Sequence, residues 1–71
     1  MVNTNKLKGR IVENGYKQSD VAAFLNIAQP TLNQKINNIR PMDLDEAEKL
    51  AQFLHISDEE FPLFFLHHPV A

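Results

Sequence analysis

The sequence of 71 residues contains no cysteine, so neither a disulfide nor a thiolate metal site can support its fold. That absence suits a reducing cytoplasm. Only two glycines are present, Gly9 and Gly15, which leaves no Gly-rich loop to cradle a phosphate. No apolar run approaches the roughly 18 residues of a membrane span, and the first residues lack the apolar stretch of a secretory signal. The hydrophobic share of 44% is nevertheless that of a folded protein, and the length allows one domain with one small core.

Positive charge is also scarce, with a net charge of −2 that taken alone argues against a polyanionic partner. Its distribution argues the other way. From Met1 to Met42 six cations face only Glu13 and Asp20, whereas from Asp43 onward Lys49 alone opposes seven carboxylates. This asymmetry fits a basic face toward phosphate and an acidic face turned away, or two ordinary solvated surfaces.

Turn-forming residues divide the chain into short helical segments. About Asn5 to Asn14, Leu7 and Ile11 share one face, with Thr4 as N-cap and Gly15 as a left-handed stop. Gly9 weakens this helix by about 1 kcal/mol relative to Ala. A second helix is predicted from Gln18 to Leu25 with Val21, Ala22 and Leu25 inward, and a third from Gln29 to Asn37 with Leu32 and Ile36 inward. Pro30 is tolerated only in a first turn, which pins the third helix to a start near Ala28 or Gln29. Asp43 with Glu46 forms a capping box for a fourth helix carrying Leu44, Ala47, Leu50, Ala51 and Leu54. Ser57 with Glu60 repeats the box, but Pro62 limits this fifth helix to about one turn or delays its start. Phe61 to Leu66 is apolar at consecutive positions, as in a buried strand or an apolar tail, with no strand partner apparent.

The sharpest local feature is the link Asn26-Ile27-Ala28 between the second and third helices. So short a connection requires a residue that tolerates the left-handed region, a small side chain at the crossing and an apolar residue beneath it. Asn26, Ala22 and Ile27 supply these at the spacing of a helix-turn-helix.

The stretch from Gln18 to Asn38 resembles the helix-turn-helix of the Cro and CI repressor family of temperate phages. The family's run of Gln, Ala, Gly, a small hydroxyl residue and Thr-Ile/Leu-Ser/Asn is met by Gln18, Ala22, Asn26, Ala28 and Thr31-Leu32-Asn33. The likeness continues through Leu50 to Ser57 and spans about Leu7 to Phe61. Ala28 and Lys17 depart from it, since both stand where a hydroxyl side chain would cap a helix. The resemblance implies an all-α fold of four to five short helices, lambda-repressor-like; the residues divide the chain into a domain at 1–62 and, outside the likeness, an extended apolar tail at 63–71. It implies a dimeric repressor in the cytoplasm of a bacterial host, binding double-stranded operator DNA and excluding polymerase from an overlapping promoter.

Carried over by position, Gln29, Pro30, Thr31, Asn33 and Gln34 are the candidates for base contact. Gln and Asn can pair two-pronged with adenine, while Thr and Pro offer apolar contact to thymine. Gln18 corresponds to the residue that clamps a phosphate through its side chain and helix N-terminus. Arg10, Lys17, Lys35, Asn38 and Arg40 are further phosphate candidates. Leu63, Phe64, Phe65 and Leu66 either meet a second copy or close the underside of their own core.

Other chemistry finds little support. His67 and His68 are adjacent and His55 is remote, so none has the i, i+4 spacing of helical metal ligands. The carboxylates after Asp43 read as a capped helix start, not an acid/base pair. No enzyme activity, cofactor, small-molecule substrate or membrane partner is expected. The competing class is a protein-interaction module of the same fold, antirepressor or antitoxin-like. Net acidity and the apolar tail favour it, and the polar face of the third helix opposes it.

Overall fold

A computed structural model of the protein describes residues 1–65, which contain α1 (Thr4–Glu13), α2 (Gln18–Leu25), α3 (Gln29–Ile36), α4 (Leu44–Phe53) and α5 (Phe61–Phe64). What keeps the first four helices short is one repeated device. After each, a single residue enters the left-handed region: Gly15 (φ 79°), Asn26 (58°), Asn38 (61°) and His55 (57°). The next residue then donates its N–H back into the last helical turn. Tyr16 bonds to Ile11, Ile27 to Ala22, Ile39 to Gln34 and Ile56 to Ala51, at 3.1, 3.0, 2.8 and 2.8 Å. This double-bonded Schellman closure satisfies carbonyls that a helix end leaves open. Gly15 and Asn26 act as their side chains predict; His55 carries no comparable local signal.

The helix starts follow local chemistry with one shift. Asn3, not Thr4, caps α1 by accepting from the Lys6 N–H, while the Thr4 hydroxyl donates to the Ile36 carbonyl at 2.7 Å. At α2 the Lys17 side chain caps nothing, but the Asp20 carboxylate accepts from the Lys17 N–H at 2.7 Å. Ala28 leaves α3 uncapped, with Pro30 in its first turn. Asp43 and Glu46 form the reciprocal box that opens α4. Ser57 and Glu60 form theirs as well, yet α5 begins only at Phe61.

The core is built from Leu7 and Ile11 of α1, Val21 and Ala22 of α2, Leu32 and Ile36 of α3, and Ala47, Leu50 and Ala51 of α4. Two expectations about the apolar residues do not hold. Leu44, in the first turn of α4, faces outward and is 56% exposed. The apolar end is a helical turn rather than an extended tail, and Phe64 and Phe65 are only 2% and 1% exposed. Phe65 pairs with Val2 in a single antiparallel bridge, and the Asn3 N–H donates to the Phe64 carbonyl at 2.8 Å. Val2 is thus the strand partner that the sequence did not reveal. Phe64 and Phe65 are thus packed with Val2 into the core of the described residues. Leu63 remains 54% exposed, and Leu66 lies outside the described residues. In a chain this small, burying two aromatic side chains stabilises the fold by about 1.5–3 kcal/mol each, which decides their placement.

Gly9 lies inside α1, and a Cβ built there meets nothing within 4 Å. Gly9→Ala is accordingly expected to stabilise the protein by about 1 kcal/mol, raising the melting temperature by roughly 4–8 °C. A melting temperature at or below that of the wild type would contradict the helical environment assigned to this residue.

Candidate nucleic-acid interface

The packing of α2 on α3 follows the left-handed Asn26 between them, and Ala22 of α2 is 3% exposed. Ile27 packs beneath the turn against the core. With Leu32 and Ile36 buried, the opposite side of α3 is presented outward. There Gln29, Pro30, Asn33 and Gln34 line one open groove with Gln18 from the start of α2. The Asn33 amide lies 3.5 Å from the Gln18 side-chain oxygen, so the two helices touch across the groove through groups that can also hydrogen-bond to a ligand. Thr31 is half-buried and lies outside this groove.

A helix-turn-helix family model matches residues 7–61, which is most of the chain and includes the whole of this surface. The protein belongs to the Cro/C1-type helix-turn-helix family. It is a DNA-binding transcription regulator of that type. No curated protein and no solved structure matches the chain.

In this helix-turn-helix regulator the cations divide into those held by the fold and those left free. Arg10 donates to the Leu54 and His55 carbonyls at the end of α4, at 3.4 and 3.1 Å. It pairs with Glu60 at 2.9 Å and Glu13 at 3.2 Å, and lies over the Phe64 ring. A guanidinium so engaged stabilises the negative end of α4. Lys35 is likewise largely covered in an ion pair with Glu46, which ties α3 to α4. Asn38 uses its side-chain amide on both main-chain groups of Val2, accepting from the N–H at 2.7 Å and donating to the carbonyl at 2.9 Å. Arg10, Lys35 and Asn38, expected at the phosphates, are thus each engaged by partners within the fold. Apart from the Arg10–Glu13 pair, their partners lie 11 to 50 residues away, beyond any local sequence pattern.

Lys17 and Arg40 are exposed and form no ion pair among the described residues. Ile39 lines the groove beside Gln34, a residue that helical periodicity does not flag because it lies beyond the helix end. No group of His, Asp or Glu among the described residues is arranged to hold a metal; His67 and His68 lie outside them. No described helix is long and apolar enough to cross a membrane.

Glu60 has its carboxyl pKa held below the ordinary 4.5, first by the Ser57 backbone N–H and next by Arg10. A carboxylate with a depressed folded-state pKa contributes stability above its unfolded pKa and loses it as pH falls through the lower folded value. Glu60→Gln is expected to remove this part of the acid sensitivity, so that mutant and wild-type stabilities converge as pH drops below about 4. Equal mutant and wild-type stability at both pH 7 and pH 3 would show that the pair with Arg10 contributes nothing.

Proposed function

We propose that the protein is a Cro-like phage repressor that binds operator DNA as a dimer, each copy laying α3 in the major groove of one half-site. The observation that carries this reading is the groove of Gln18, Gln29, Pro30, Asn33 and Gln34, with the unpaired cations Lys17 and Arg40 elsewhere on the surface. Side-chain amides match the donor and acceptor edge of adenine, and Pro30 offers only an apolar contact, so the half-site is biased toward A·T pairs. Gln18 at the start of α2 and the cations Lys17 and Arg40 engage the phosphates that fix the register of the helix. Phage origin rests on the resemblance of Gln18 to Asn38 to the Cro and CI repressors.

Dimerisation follows from the reach of the motif. One helix-turn-helix reads only a few base pairs, and specific sites place two about 34 Å apart along the duplex. The contact between copies lies on a surface other than Phe64 and Phe65, which are buried. Repression then follows from occupancy, since a dimer on an operator overlapping a promoter excludes polymerase.

Selection of bound sequences from random duplex DNA is expected to return a two-fold symmetric A·T-biased site. Gln29→Ala and Gln34→Ala should each keep the fold and remove about 1–3 kcal/mol of discrimination at one base position per half-site. A wild-type protein that binds selected and scrambled duplexes equally well would sink the readout assignment. In a separate salt titration, Lys17→Ala and Arg40→Ala should weaken binding to all duplexes alike and flatten the salt dependence, each by about one charge. Arg10→Ala should lower the melting temperature with no change in that slope; a slope that flattens with Arg10→Ala and not with Arg40→Ala would reverse the assignment of the cations.

A further inference from the structure

Asn38 enters the left-handed region at φ 61°, a conformation that glycine would adopt without strain. What asparagine adds at this position is its side-chain amide. That amide meets both main-chain groups of Val2, its Oδ1 accepting from the N–H at 2.7 Å and its Nδ2 donating to the carbonyl at 2.9 Å. Two paired strand residues exchange bonds in the same way, here with a side chain standing in for one strand. The Nδ2 also lies 3.4 Å from the Thr4 hydroxyl, which donates to the Ile36 carbonyl at 2.7 Å. Val2 is fixed from its other side as well, buried at 4% exposed and bridged to Phe65. Asn38 is therefore tied to a firmly held part of the chain.

This tie stands where α3 hands over to the turn that carries Arg40. The main-chain N–H groups of Asn38, Ile39 and Arg40 all return to α3 itself, to the carbonyls of Lys35, Gln34 and again Gln34, at 3.3, 2.8 and 3.2 Å. Those bonds shape the turn without fixing it against the rest of the domain. The Asn38 amide supplies that second anchor, and Val2, Asn38 and Arg40 line one surface hollow. Arg40 is exposed and forms no ion pair among the described residues, so the turn beneath it sets where its charge is presented. We infer that Asn38 is a positioning residue for DNA binding, whose amide latches the turn after α3 to residues 2–4 and so holds Arg40 toward the phosphate backbone. The inference rests on the phosphate contact proposed above for Arg40 and makes that contact dependent on the N-terminal segment.

The test measures operator affinity against salt for four intact proteins: wild type, Asn38→Gly, Arg40→Ala and the double substitution. Asn38→Gly keeps the left-handed backbone and removes only the amide. Arg40→Ala alone is expected to flatten the slope of log affinity against log salt by about 0.9, the share of one phosphate contact. Asn38→Gly should flatten it in the same sense although it removes no charge, and Arg40→Ala should then add nothing further. On raising salt from about 50 to about 200 mM, each variant should thus lose about three- to fourfold less affinity than the wild type. A residue that only supports the fold would lower the melting temperature and leave the effect of Arg40→Ala at full size. That outcome overturns the inference, as does an Asn38→Gly slope equal to that of the wild type. If Asn38→Gly does not fold, Asn38→Asp takes its place, because its carboxylate still accepts from the Val2 N–H but cannot donate to the carbonyl. Comparing that variant with and without Arg40 cancels its added charge: a reduced effect of Arg40→Ala supports the latch, and a full-sized one overturns it. An Arg40→Ala slope equal to that of the wild type, with Asn38 intact, removes the phosphate contact itself and the inference with it.

Discussion

The left-handed turn at Asn26 is the constraint on which the DNA-facing surface depends. It reverses the chain over three residues, so that α3 leaves α2 at a steep angle and Ala22 can close the crossing. A residue with a bulkier or β-branched side chain would resist this backbone by about 1–2 kcal/mol, whereas Asn tolerates it. Once the turn is made, the burial of Leu32 and Ile36 fixes the rotation of α3 about its axis. Gln29, Pro30, Asn33 and Gln34 then line the groove together, and Thr31 lies outside it. The reading face is in this sense what remains after the core has been satisfied.

The same economy governs the charges. The basic half of the chain offers six cations, but the fold engages several of them before any ligand arrives. Arg10 closes the end of α4 and bonds to Glu60, Lys35 joins α3 to α4 through Glu46, and Lys6 lies over the Phe64 ring. An exposed ion pair such as Lys49 with Asp45 adds little stability, whereas these partly covered contacts link elements distant in sequence. Lys17 and Arg40 are left exposed, without an ion pair among the described residues. With a net charge of −2, non-specific attraction to a polyanion is weak.

Both ends of the described chain are drawn into this arrangement. Val2 is held by Asn38 on one side and by Phe65 on the other, and Thr4 bonds to the last carbonyl of α3. The C-terminal aromatic residues thereby support the recognition helix indirectly, through the N-terminal segment. On the far side of the core, Phe53 is stacked between Tyr16 and Phe24, with ring centroids 4.5 and 4.2 Å away, which joins the end of α4 to α2. A domain of this size has few apolar residues to spare, and their use as core accounts for the placement of Phe64 and Phe65.

The local chemistry was legible in the residues because its hydrogen bonds span three to five positions. Asn26 and Gly15 marked their turns, Pro30 marked the start of α3, Asp43 with Glu46 marked α4, and the spacing from Gln18 to Asn38 indicated the helix-turn-helix. The groove was legible in part, since the resemblance to the Cro and CI repressors carried Gln18, Gln29, Pro30, Asn33 and Gln34 to this surface. What periodicity does not contain is the partner of a side chain across the fold. Arg10 meets Glu60 fifty residues on, Asn38 meets Val2 thirty-six residues back, and Phe65 pairs with Val2 at the other end of the chain. Ile39 shows the division most clearly. An apolar residue after a turn-forming asparagine can be read from the chain, but its exposure beside the amides of the groove depends on how the other elements fill the core.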